Sequence, residues 1–180
     1  VLVRGGGVER MGTLPMGGFT FTKRIGRALG LPVAAAEEMK TSYATGGLDW
    51  SRAQEMRAAL ATDVQTWLDG VQTILEEIAA RDTLPARIFL CGGGAALPEL
   101  EQAARSRAWV RLLPFTRYPE ITLLQPAHLA GLSDRTRRLA GGNFVVPTAM
   151  AVWTARTIHG QPASLPQRAL QRVVRGMKLG

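Results

Sequence analysis

Apolar residues recur along this chain at helical spacing in some segments and in short runs in others. Phe21, Ile25, Ala28 and Leu29 fall at i, i+4, i+7 and i+8, which predicts a helix from about Thr20 to Leu29. Gly30 is placed to stop it, and Pro32 to open a short helix through Met39. Met56, Leu60, Val64, Trp67/Leu68, Val71, Ile74/Leu75 and Ile78 recur every three or four positions and predict a long helix from about Asp49 to Arg81. Asp49 or Ser51 can cap its first turn by accepting from backbone N–H groups that have no partner there. Gly70 in its middle costs about 1 kcal/mol relative to alanine, which points to a close backbone approach.

Shorter apolar segments read as strands. Val1–Arg4 and Val8–Leu14, joined by Gly5–Gly7, predict a hairpin, which "PMGGFT" interrupts. Arg87–Cys91 predicts a short buried strand and Val110–Leu113 another. Further helices are expected over Pro98–Arg105, near Pro126–Leu132, over Phe144–Ile158 and over Pro166–Leu179, the last behind the linker-like Gly160–Ser164. The rest of 115–143 is rich in Pro, Gly and Arg. Helices and strands intermingle, which predicts an α/β layer fold around one sheet.

The 180 residues suffice for one domain with a real core. A hydrophobic fraction of 46% fits a globular chain rather than a disordered one. No run approaches the roughly 18 apolar residues of a membrane-spanning helix, and no secretory leader is visible. A single cysteine, Cys91, excludes an internal disulfide and fits a reducing compartment. The chain opens at Val1, without Met and inside an expected strand, so it reads as part of a longer protein.

Charge is uneven. Residues 1–100 carry ten Lys/Arg against eleven Asp/Glu, a net −1, whereas 101–180 carry twelve against three, a net +9. A basic half suits an anionic partner such as lipid, nucleic acid or an acidic protein, and equally a solvated arginine-rich surface.

The segment "FLCGGGAALPEL", Phe89–Leu100, runs an apolar strand into three glycines and opens a helix at Pro98. Glycines at a strand end leave N–H groups bare and let a ligand approach the backbone, and strand ends are where open α/β sheets bind ligands. Gly92-Gly93-Gly94 matches neither standard phosphate-loop pattern, and a tight turn without a ligand explains it as well. Gly17-Gly18 precedes a helix in the same manner. Glu37 and Lys40 stand at i, i+3 in "AAAEEMK", which by itself is an ordinary surface ion pair.

Taken in order, "GGFTFTKRIGRALGLPVAAAEEMK" and "IFLCGGGAALPELEQAA" resemble the actin-like ATPase superfamily, in particular its bacterial cell-division (FtsA) and type IV pilus assembly (PilM) branches; "FVVPTAMAVWTA" resembles the closing helix of that family's second lobe. The resemblance covers residues 1–158. It implies an actin-like, ribonuclease H-like second lobe: a mixed β-sheet flanked by helices, with a helical subdomain inserted at about 31–86. By the same resemblance, Gly92, Gly93 and Gly94 would pass along an adenosine, Glu37 and Lys40 would meet its adenine and ribose side, and Gly17 and Gly18 would form a phosphate-side turn. A glycine-lined cleft with one acid and one base suits a neutral purine and a polar ribose.

No Asp in the chain is followed two residues later by Gly, so the family's two phosphate loops have no counterpart here, nor have its first-lobe catalytic acids. The chain resembles the second lobe without the first, and no ATP hydrolysis is expected of it alone. The implied cofactor is ATP, with Mg²⁺ supplied largely through the first lobe. The implied partners are that N-terminal lobe, further copies in filaments or oligomers, and division or pilus assembly proteins. A scaffold of the same fold that binds no nucleotide is the alternative. Nucleic acid is disfavoured, because the basic half shows no stacking-aromatic pattern.

In the expected last helix, Leu165, Ala169, Leu170, Val173, Val174 and Met177 share a face, while Arg168, Arg172, Arg175 and Lys178 lie mostly opposite. A basic amphipathic helix behind a linker suits an anionic membrane surface, and the resemblance carries such a helix too. The implied location is cytoplasmic, peripheral on the inner face of the cell membrane; packing back onto the domain or onto a partner chain is the alternative. His128 and His159 stand without ligand or triad spacing, Cys91 is expected to fill space in its strand, and Asp134 with Arg135, Arg137 and Arg138 reads as a solvated basic loop.

Overall fold

The computed structural model describes residues 1–79 and 82–158. It opens with strand β1, Leu2–Arg4, and strand β2, Gly7–Arg10. They pair antiparallel, with Arg4 opposite Gly7 and Val3 opposite Val8. Gly5 and Gly6 both have positive φ, 58° and 78°, the backbone that a tight hairpin turn requires. The second strand is shorter than expected, and Met11–Leu14 lie outside the ladder.

Three helices follow: α1, Gly18–Leu29; α2, Val33–Ala44; and α3, Trp50–Ala79. Gly30 at φ 66° ends α1 as a left-handed cap, its N–H donating to the Gly26 carbonyl. Helix α2 outruns its expected end at Met39, because nothing breaks it before Gly46, at φ 73°. Asp49 does cap α3: its Oδ1 accepts from the Arg52 N–H at 3.0 Å. Gly70 sits where a Cβ would come within 2.6 Å of Leu14 Cδ1, the close approach that its presence in mid-helix suggested.

The core has two parts, and α3 runs through both. Phe21 and Ile25 of α1, Ala36 and Tyr43 of α2, and Met56, Leu60 and Val64 of α3 form the first, with Leu97 and Leu100. The second joins Leu2, Leu68, Ile78 and Ala79 to Leu84, Trp109, Val110 and Leu113. Trp67 packs against both.

Strand β3, Arg87–Leu90, leads through a single 3₁₀ turn, Gly93–Ala96, into helix α4, Pro98–Ala104. A one-turn helix α5, Arg107–Val110, and strand β4, Glu120–Leu123, come next. β3 and β4 are parallel and in register, Arg87 opposite Glu120 and Leu90 opposite Leu123, with α4 and α5 supplying the crossover that parallel strands need. Among the described residues the strands form two separate two-stranded sheets, not one mixed sheet. The fold is mixed α/β and rich in helix.

Several expectations are corrected. β3 is not a fully buried strand: Arg87 and Phe89 face outward and Ile88 and Leu90 are half-buried, because it has a partner strand on one side only. Val110–Leu113 is no strand. Val110 and Leu113 are buried while Leu112 is 66% exposed, a three-residue spacing that belongs to a helical turn. The irregular 115–143 stretch contains β4, and the helix expected near 126–132 is a single 3₁₀ turn, Pro126–His128. Another 3₁₀ turn, Gly142–Phe144, leads into α6, Val145–Ile158. The expected tail helix, with Arg168, Leu170, Arg172, Val173, Val174, Arg175, Met177 and Lys178, lies outside the described residues. Among those described, no helix is long and apolar enough to cross a membrane.

Candidate functional site

The residues singled out in the sequence come together at the start of α1. Gly18, the first residue of that helix, backs onto the glycine loop: a Cβ there would lie 3.3 Å from the Gly94 nitrogen and 3.7 Å from its Cα. The contact is reciprocal, since a Cβ on Gly94 would lie 3.5 Å from Gly18 Cα. Two backbones meet where neither has a side chain. Gly17, just before the helix, has open space beside it.

Gly92 turns the chain out of β3 at φ 98°, a conformation that strains any residue with a Cβ. Its N–H donates to the Gly142 carbonyl at 3.0 Å, and a Cβ on Gly142 would lie 3.3 Å from the Gly92 oxygen. A second glycine pair, Gly141–Gly142, thus supports the loop from behind, and the sequence reading missed it. Gly93 has no such restriction: its φ is not positive, and its Cβ would meet only Asn143 Cβ, at 4.0 Å.

Two hollows flank this junction. One, of about 480 Å³, is lined by Gly18, Phe19, Val33, Ala34, Glu37, Lys40 and Gly93. The other, of about 230 Å³, lies among Met16, Gly17, Phe21, Trp67, Cys91 and Gly92–Gly94. Phe19 and Val33 stand 60% and 46% exposed as the apolar walls of the larger one, and Lys23 Nζ sits 4.7 Å from the Phe19 ring centroid. Cys91 is exposed at the smaller one and does not fill space in a strand as expected, because β3 ends one residue earlier.

Lys40 is the hub. Its side chain is buried, and Nζ donates to Glu37 Oε2 at 2.7 Å, to Thr22 Oγ1 at 2.6 Å and to the Gly18 carbonyl at 3.1 Å. All three ammonium protons therefore have protein acceptors. The Thr22 hydroxyl has one proton of its own, with the Gly18 carbonyl and Glu37 Oε2 both in reach. The Lys40 hydrogen bond above all, then that from Thr22, holds the Glu37 carboxyl below its usual pKa, with burial opposing. Glu37 is half exposed, and its Oε1 has no partner among the described residues.

All seven residues expected at the nucleotide site, Gly17, Gly18, Glu37, Lys40, Gly92, Gly93 and Gly94, border this junction. Phe19, Thr22 and Val33 complete it and were not anticipated. Thr22 had a readable signal, lying four residues after Gly18 on a face otherwise apolar. Chemically the larger hollow offers apolar side walls, bare backbone and one carboxylate acceptor. That set suits a flat, mostly neutral ligand with hydroxyl or amino donors. Among the described residues no group of three or more His, Cys, Asp or Glu could hold a metal ion.

No family model, curated protein or solved structure matches this chain.

Proposed function

We propose that the chain is the nucleotide-binding second lobe of an actin-like protein of the cell-division or pilus-assembly type, in which ATP controls shape and assembly. One observation carries this: Gly17–Gly18, Glu37–Lys40 and Gly92–Gly94, from three distant parts of the sequence, border one junction. In this role the purine would lie against Phe19 and Val33, and the sugar would pass the bare backbone at Gly93. Glu37 Oε1 would accept from a ligand hydroxyl or amino group. Lys40, with its protons committed, acts through Glu37 as a positioning residue. Mg²⁺ would need acids from outside the described residues, and the proposed assembly with a first lobe, with further copies and at an inner-membrane surface follows from the same resemblance.

The test is calorimetric titration of ATP into the protein and into Gly93→Phe. Phe at 93 needs no strained backbone and adds bulk at a residue that lines both hollows, so binding by the parent and its loss in a folded variant supports the proposal. Absence of binding by the parent leaves the second reading, a scaffold of this shape without nucleotide. The tying of Lys40 entirely into the protein favours that reading.

A further inference from the structure

The glycine loop follows the C-terminal end of β3. At the opposite end of the same parallel pair is a separate cleft of about 540 Å³ in the strongly basic half, lined by Arg105, Arg107, Arg117, Tyr118, Pro119 and Glu120. Its three arginines come from three segments: the end of α4, the start of α5 and the loop before β4.

They are not equivalent. Arg105 is occupied by Glu101, with contacts of 3.0 Å from Nε and 2.9 Å from the terminal nitrogen. Arg107 has its guanidinium carbon 5.5 Å from the Tyr118 ring centroid. Neither Arg107 nor Arg117 has an acidic partner within 4.0 Å among the described residues. Tyr118 is held by its hydroxyl, which donates to the Arg105 carbonyl at 2.7 Å, yet the residue is 49% exposed. The result is an aromatic ring fixed at the surface with the Arg107 guanidinium over it, in a cleft where neither Arg107 nor Arg117 is neutralised by a carboxylate among the described residues.

We infer that this cleft binds a single-stranded nucleic acid. Guanidinium forks match phosphate oxygens in geometry as well as charge, and a ring held at the surface gives a base a face to stack on. Glu120, at the same cleft, repels phosphate on its own side and offers an acceptor to an exocyclic amino group, as carboxylates do for the cytosine amine. An acidic peptide would use the arginines but neither the ring nor Glu120. The absence of a stacking pattern in the linear sequence is thereby explained: Tyr118 is one aromatic, and the arginines around it are ten or more positions away except Arg117.

The experiment is fluorescence anisotropy of labelled oligocytidylate of about twelve nucleotides, as DNA and as RNA, with the full chain. Two phosphate contacts predict about a sevenfold loss of affinity when salt rises fourfold. Arg117→Glu, at an exposed position, should weaken binding at least about tenfold and flatten that salt dependence. Tyr118→Ala should weaken it about tenfold, and Tyr118→Phe, which keeps the ring but loses the hydroxyl that holds it, should weaken it less. Gly93→Phe, at the other end of the sheet, should leave it unchanged. Preference for one sugar identifies DNA or RNA as the ligand. Salt-independent binding, no binding, indifference to Arg117→Glu, or equal competition by a polyglutamate peptide overturns the proposal.

Discussion

Gly18 and Gly94 meet backbone to backbone, so that a Cβ on the first would lie 3.3 Å from the nitrogen of the second. This contact locks the start of α1 against the loop after β3, and both hollows of the site open beside it. Gly18→Val should therefore push the two segments apart. We expect a loss of about 1–3 kcal/mol from overpacking, read from urea unfolding. Gly17→Ala, with open space and a negative φ of −106°, should stay within about 0.5 kcal/mol.

Lys40 and Glu37 contribute unequally to the same hub. Lys40→Met leaves a threonine hydroxyl, a carbonyl and a carboxylate without their shared donor, and we expect it to cost about 2–4 kcal/mol. Glu37 is half exposed, so Glu37→Gln should cost only about 1 kcal/mol. Thermal or urea melts of both variants check the order. Equal losses would show that the pair, not the three-acceptor hub, sets the stability.

Glu37 also predicts a pH dependence. Its folded pKa lies below the ordinary 4.5. Its contribution is therefore fully present above 4.5 and is lost as pH falls through the lower folded value. Comparing parent with Glu37→Gln between pH 7 and pH 3 should show a stability gap that is constant at neutral pH and closes only below about 4.5. A gap that closes already near pH 6 contradicts the assignment.

Gly92 and Gly93 are neighbours with opposite tolerances. Gly92→Ala meets no atom within 4 Å but must adopt φ 98°, and the strain should cost about 1–3 kcal/mol. Gly93→Ala should be nearly neutral in stability. Denaturation curves of the two single variants separate backbone strain from steric filling.

The core prediction rests on Phe21, 1% exposed in the cluster shared by α1, α2 and α3. Phe21→Ala should cost about 3–5 kcal/mol, measured by urea unfolding, and should loosen the start of α1 that carries Gly18.

Helices α1 and α3 were legible in the sequence because each carries its own signal: a 3.6-residue apolar period, a capping Asp49 and a stopping Gly30. So was Pro98 at the head of α4. Short elements were not. Val110–Leu113 is apolar enough for a strand, and only the burial of Trp109, Val110 and Leu113 against α3 and Leu84 makes it a turn of helix. β4 was hidden in a Pro- and Arg-rich stretch because it depends on pairing with β3, a partner some thirty residues away.

The candidate site divides in the same way. The sequence by itself pointed to Gly17, Gly18, Glu37, Lys40 and Gly92–Gly94, since glycine pairs and an i, i+3 acid–base pair are local patterns, but not to Phe19, Thr22, Val33 or the Gly141–Gly142 pair. Only the tertiary structure decided that Gly18 and Gly94 touch, that Thr22 joins Lys40 to Glu37, and that Lys40 has no proton to spare. It also decided that Tyr118 stands among arginines that are scattered along the chain. The physical reason is that local periodicity reports each segment's own backbone preference. Which backbones meet, and which donors are used up, depends on packing between segments that have no fixed spacing in the sequence.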